Sequence, residues 1–121
     1  MGNMEFRIKE EENARIVYLE GKLDVFLSIE AEKEFNRLVD AGALNIIVNM
    51  KDLEFLSSSG LRTFIALQKK LSTLKGRLLF CSMPPAVIKI FQIVELTDIF
   101  CICETEQAAL ELCQEATAKR Q

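Results

Sequence analysis

The sequence predicts a single α/β domain: a mixed β-sheet led by an N-terminal hairpin, with about four helices packed around it. Three observations carry this prediction. Short runs of β-forming apolar residues alternate with stretches whose apolar residues recur at helical spacing, in the order β-β-α-β-α-β-α-β-α. The first two strands are joined by a connection short enough only for antiparallel neighbours, whereas a helix separates each later pair, as parallel strands with right-handed crossovers require. The chain has 121 residues, half of them apolar, which suffices for one core and not for two.

The elements follow in order. Phe6 and Ile8 alternate with Arg7 and Lys9, giving a strand with one wet face. Glu12-Asn13 turns the chain, and Arg15 to Glu20, rich in β formers at Ile16, Val17 and Tyr18, is the partner strand. A loop from Gly21 to Leu27 leads to a helix capped by Ser28, with Glu30 and Glu32 in its first turns. Leu27, Ala31, Phe35, Leu38 and Val39 form its stripe, and Gly42 stops it. Leu44 to Val48 has the length and β-branched content of a strand buried on both faces. The loop Asn49 to Leu56 feeds a second helix that begins within Ser57-Ser58-Ser59-Gly60. Its face is Leu61, Phe64, Ile65, Gln68 and Leu71, broadened by Leu67 and Leu74. Gly76 closes the connection to a strand from Arg77 to Cys81. Pro84-Pro85 opens a third helix, faced by Val87, Ile88, Phe91 and Val94 or Glu95. The last strand is Ile99 to Cys103, and the last helix runs from Thr105 to Ala118, buried through Ala108 or Ala109, Leu112, Cys113 and Ala116. The domain is expected over residues 4–116, with 117–121 as a frayed tail. The pattern leaves open how the helices divide between the two faces of the sheet.

Composition narrows the function. A net charge of -3, from 18 acidic and 15 basic residues, gives no footprint for nucleic acid. No apolar window is long enough for membrane insertion, and the first residues carry neither a secretion signal nor a myristoylation site, so a cytoplasmic location is expected. Cys81, Cys101, Cys103 and Cys113 read as small hydrophobes in a reducing compartment; a lone Cys-x-Cys without histidine is a weak zinc signal, and no metal is expected. The absence of histidine removes the usual base near neutral pH. Neither glycine-rich phosphate loop occurs, and nothing pairs Asp24 with Asp52 as catalytic carboxylates. The chain is read as no enzyme, without cofactor. The acidic run Glu10-Glu11-Glu12 reads as a solvated turn.

One local feature is not explained by composition. Ser57-Ser58-Ser59-Gly60 stands where a short loop feeds an apolar-faced helix. One serine can cap the helix, with Gly60 permitting close packing. The same N-H groups and dipole would also receive a phosphate on a serine, a charge of about -1.5 to -2, without unfolding the domain. Leu56 and Leu61 flank the cluster as candidates for an apolar contact, with burial the stronger expectation for Leu61.

Gly21-Lys22-Leu23-Asp24, then Ile47-Val48-Asn49-Met50, then Phe55-Leu56-Ser57-Ser58-Ser59-Gly60-Leu61 together resemble the signature of STAS domains, and more closely the bacterial anti-sigma factor antagonists. The resemblance spans roughly residues 4–116 and implies the same mixed sheet with packed helices. It also implies a switch: the unmodified domain binds an anti-sigma factor that is a serine kinase, releasing a sigma factor for transcription. Phosphorylation blocks binding, and a serine phosphatase restores it. By this resemblance Ser58 is the phosphoacceptor, Ser59 the small residue after it, and Asp24 the first-loop aspartate of the docking surface. Asn49, Leu56, Ser57, Gly60, Leu61 and Arg62 would flank the site. The chain departs from the pattern where Ser57 replaces the aspartate before the acceptor and Asn49 a frequent aspartate, leaving the acceptor loop less acidic. The alternative is a constitutive STAS docking subunit of a membrane transport system or signalling assembly. Exposed apolar residues would serve a homodimer or the cognate partner equally well.

Overall fold

A computed structural model of the chain describes residues 4–93 and 99–120, with side chains over 6–93 and 99–115. Strands β1 (Met4–Glu11) and β2 (Ala14–Leu23) form the expected hairpin, closing with Glu11 opposite Ala14. Strands β3 (Asn45–Leu56), β4 (Arg77–Cys81) and β5 (Cys101–Cys103) then add in parallel, so the order in space, β1-β2-β3-β4-β5, is the order in the chain. Helices α1 (Val25–Asp40), α2 (Ser58–Thr73) and α3 (Pro85–Ile93) make the crossovers, and α4 (Glu106–Arg120) ends the described chain. When strands are laid down in one direction, right-handed crossovers place every connecting helix on the same face. The core divides accordingly. Val17, Leu19, Ile46, Val48, Leu78 and Phe80 face α1, α2 and α3, while Ala14, Ile16, Ile47, Leu79 and Cys81 face Ala109 and Cys113 of α4. Among the described residues, no helix is long and apolar enough to cross a membrane.

Several boundaries differ from the sequence expectation, for identifiable reasons. Strand β3 runs straight through the segment expected as the loop Asn49 to Leu56. Its buried apolar residues there are Met50, Leu53 and Leu56, three apart rather than two. The β2–β3 register shifts between Tyr18 and Glu20 and again between Gly21 and Lys22, and each shift reverses the alternation of faces. Helix α1 begins at Val25, capped by Asp24 and not by Ser28. Ser28 lies buried in the first turn, its hydroxyl donating to the Asp24 carbonyl at 2.6 Å. Leu44 stands outside β3 and is exposed, its carbonyl accepting from Arg77 N-H at 2.7 Å. A Cβ on Gly76 would lie 2.2 Å from that carbonyl oxygen, which is why glycine closes this connection. Leu74 is an exposed C-cap, and Ile99 lies exposed before β5. Gln68, counted on the apolar face of α2, is half-buried, and the last helix continues past Ala118 to Arg120. Val94, Glu95, the Ala116 side chain and Gln121 lie outside the described residues.

Candidate functional site

The carboxyl ends of β2 and β3 bring the N-termini of α1 and α2 side by side. Leu23 pairs with Leu56 in register, and the Ser57 N-H donates to the Leu23 carbonyl at 3.0 Å. The Asp24 carboxylate accepts from Leu27 N-H at 2.9 Å and so caps α1. Ser57, in extended backbone (φ -83°, ψ 167°), caps α2 by accepting from Gly60 N-H at 3.1 Å. Serine and aspartate are near-equal N-caps. Serine at the position where the family string has aspartate therefore keeps the helix start and removes only the charge.

Ser58 is the first residue of α2 and is exposed. Ser59 is half-buried toward α1, its carbonyl accepting from Thr63 Oγ1 at 3.1 Å. In the first turn, Gly60 N-H is taken by the Ser57 hydroxyl and Leu61 N-H by the Ser57 carbonyl at 3.1 Å. The N-H groups of Ser58 and Ser59, like that of Gly60, are beyond the reach of any helical carbonyl. With no acidic side chain in that turn, the positive end of the helix dipole stands uncompensated around Ser58. Arg62, exposed and four residues on, shares the Ser58 face of α2 and lines a groove of about 340 Å³ between α1 and α2, opposite Glu32.

Three residues expected to flank the acceptor are structural. Leu56 and Leu61 are buried, at 4% and 9% exposure, so neither offers a contact surface. A Cβ on Gly60 would lie 2.6 Å from Leu56 Cδ1 and 2.9 Å from Leu23 Cδ2, so glycine lets α2 start directly on the sheet. The exposed apolar residues at this pole are others: Val25, Phe26 (78%) and Ile29 on α1, and Phe55 on β3. Sequence reading missed Val25, Phe26 and Phe55 because it placed 21–27 and 49–56 in loops, and Ile29 because it starts the helix only at Ser28. The signal lay in Phe26 and Ile29, which fall off the Ala31–Phe35–Val39 stripe.

Asn49 belongs elsewhere. It sits on β3 seven residues before Leu56, roughly 20 Å along the strand, and faces α4. Its Nδ2 donates to Glu106 Oε1 at 3.1 Å and its Oδ1 accepts from Lys51 N-H at 2.9 Å. The Tyr18 hydroxyl also bonds Glu106; burial first, then this bond and the carboxylate charge, push its pKa up to about 12. An aspartate at position 49 would face Glu106 with a second negative charge. The asparagine therefore has a local reason, and it does not change the acceptor loop.

Known proteins resemble the chain in sequence and fold. The model of the STAS domain matches residues 5–109. A protein of Bordetella bronchiseptica named as an anti-sigma factor antagonist, BtrV, is 29% identical over 94 residues, covering 78% of this chain and 81% of its own. The anti-sigma-B factor antagonist of Bacillus subtilis is 25% identical over 109 residues, covering 90% of this chain and 99% of its own. The solved unphosphorylated anti-sigma factor antagonist SpoIIAA superposes with a TM-score of 0.80 at 24% identity, covering 92% of this chain and 97% of that one.

Proposed function

The chain belongs to the STAS domain family, and from that premise we propose that it is an anti-sigma factor antagonist, a regulatory binding domain and not an enzyme. In this reading the unmodified domain binds an anti-sigma factor with serine kinase activity and so frees a sigma factor. Phosphorylation of Ser58 by that kinase ends the binding, and a serine phosphatase resets it. The observation that carries the reading is the division of labour in the serine cluster. Ser57 is committed to capping and Ser59 is turned into the groove, so Ser58 alone is exposed at a helix start able to hold a dianion. The docking face is the apolar rim beside it, Val25, Phe26, Ile29 and Phe55, together with Ser58, Ser59 and Arg62. Asp24 contributes by fixing the start of α1, which carries three of those apolar residues.

Capture from native lysate by the unmodified chain, by Ser58→Asp and by Phe26→Asp tests this. The unmodified chain is expected to retain a nucleotide-binding serine kinase that, given ATP, phosphorylates Ser58 by fragment mass mapping. Both variants are expected to lose it. Equal capture by Ser58→Asp together with no phosphorylation would replace the switch with constitutive docking, the reading to which the missing aspartate at position 57 lends some weight. Phosphate mainly on Ser57 would overturn the assignment of the acceptor.

A further inference from the structure

All four cysteines gather on the α4 face of the sheet. Cys81 on β4 and Cys113 on α4 have no exposed surface, but Cys101 and Cys103, on the edge strand β5, are half-buried. As i and i+2 residues of one strand they point the same way, and each thiol lies close enough to feel the other. The side chain of Arg77, the first residue of β4, reaches this pair. Its Nη1 donates to the Leu112 carbonyl at 3.3 Å, which anchors the guanidinium, and its Nη2 donates to Cys101 Sγ at 3.9 Å. Cys101 is thus the sulfur that carries a fixed guanidinium, and a second thiol nearby is what a sulfenic acid condenses with.

We infer that Cys101 and Cys103 form a peroxide-sensitive dithiol, with Cys101 the sulfur oxidised first and Cys103 the resolving thiol. The Cys101 thiolate attacks hydrogen peroxide: an S–O bond forms, the O–O bond breaks, and hydroxide leaves to take up the proton shed by the thiol. The Cys103 sulfur then attacks the sulfenic sulfur, the S–O bond breaks, and the hydroxyl leaves as water with the Cys103 proton. Two thiols and one peroxide thus give one disulfide and two waters. The roles follow from the surroundings. Cys101 is the sulfur on which the Arg77 Nη2 rests, whereas burial and then Cys101 push the Cys103 thiol up to about 11 although Arg77 lowers it in part, so Cys103 waits as a neutral thiol. Cys81, pushed up to about 11 by burial, is both neutral and out of reach of solvent. The Cα atoms of an i, i+2 strand pair stand roughly 6.6 Å apart, near the upper limit for a disulfide, so the bond must draw β5 together and is readily reduced.

Treatment of the 121-residue chain with hydrogen peroxide, followed by intact-mass and peptide mapping, tests this. A loss of about 2 Da is expected on the peptide holding residues 101–103, reversed by a thiol reductant. In Cys103→Ser, dimedone should trap a sulfenic acid on Cys101; in Cys101→Ser it should leave Cys103 unlabelled at the same dose. Arg77→Gln should slow the labelling of Cys101 several-fold, and Arg77→Lys should restore part of it, with circular dichroism unchanged in each variant. Labelling of Cys103 in Cys101→Ser, equal oxidation of Cys81 and Cys113, or no mass loss in the folded chain would each overturn the inference.

Discussion

At the N-cap of a helix, serine and aspartate do the same work with different charge, and two residues of this chain turn on that. Ser57 accepts from Gly60 N-H, so Ser57→Ala should cost about 1 kcal/mol of stability, read as a lowered denaturation midpoint at unchanged slope. Ser58, exposed beside it, should tolerate alanine within about 0.5 kcal/mol, yet that variant should accept no phosphate from the cognate kinase. The pair of midpoints separates the capping serine from the proposed acceptor. Asp24 needs the same care, because Asp24→Ala removes the cap on Leu27 N-H and should cost about 1 kcal/mol whatever it does to binding. Asp24→Asn keeps a capping oxygen. If the partner affinity of Asp24→Asn matches the parent while that of Asp24→Ala falls, the residue acts through helix position rather than through its charge.

At the scale of elements, the polar bridge between β2, β3 and α4 governs how α4 is held. Asn49→Asp would replace a donor to Glu106 by a second carboxylate at about 3 Å, with an expected cost of about 1–3 kcal/mol near neutrality. The loss should shrink as pH falls and one carboxyl takes a proton; chemical denaturation at two pH values measures it, and a pH-independent difference would contradict charge repulsion. Tyr18 reports the same bridge from the alkaline side. Its folded pKa, about 12, lies above the ordinary value of 10.0, so the folded state favours the neutral phenol. The stability this gives is complete below about pH 10 and is lost as pH rises through the folded value. As Tyr18 is the only tyrosine, tyrosinate absorbance should follow this titration alone, shifting toward the ordinary value in a Glu106→Gln variant.

At the scale of the molecule, Ser58, the proposed acceptor, stands at one pole of the sheet and the cysteines beneath α4, so a phosphate on Ser58 would act on a surface and leave the core alone. The phosphorylated chain should keep the circular dichroism spectrum of the unmodified one while losing partner affinity. Burying the dianion under a partner at a cost of ~3 kcal/mol weakens binding roughly a hundredfold. Calorimetric titration of both forms checks this, and a collapsed spectrum would mean that unfolding, not surface charge, turns the switch off. The sequence by itself determined the element order, the hairpin and the family string, because apolar period, turn length and local spacing are properties of neighbours in the chain. Only the tertiary structure decided that β3 extends to Leu56, that Leu56 is buried while Phe26 and Phe55 are exposed, and that Asn49 faces Glu106 far from Ser58. The reason in each case is register. Two shifts in the β2–β3 ladder break the alternation that marks a strand, and the strand order sets which face each helix covers. Both depend on partners distant in the sequence, which no local pattern encodes.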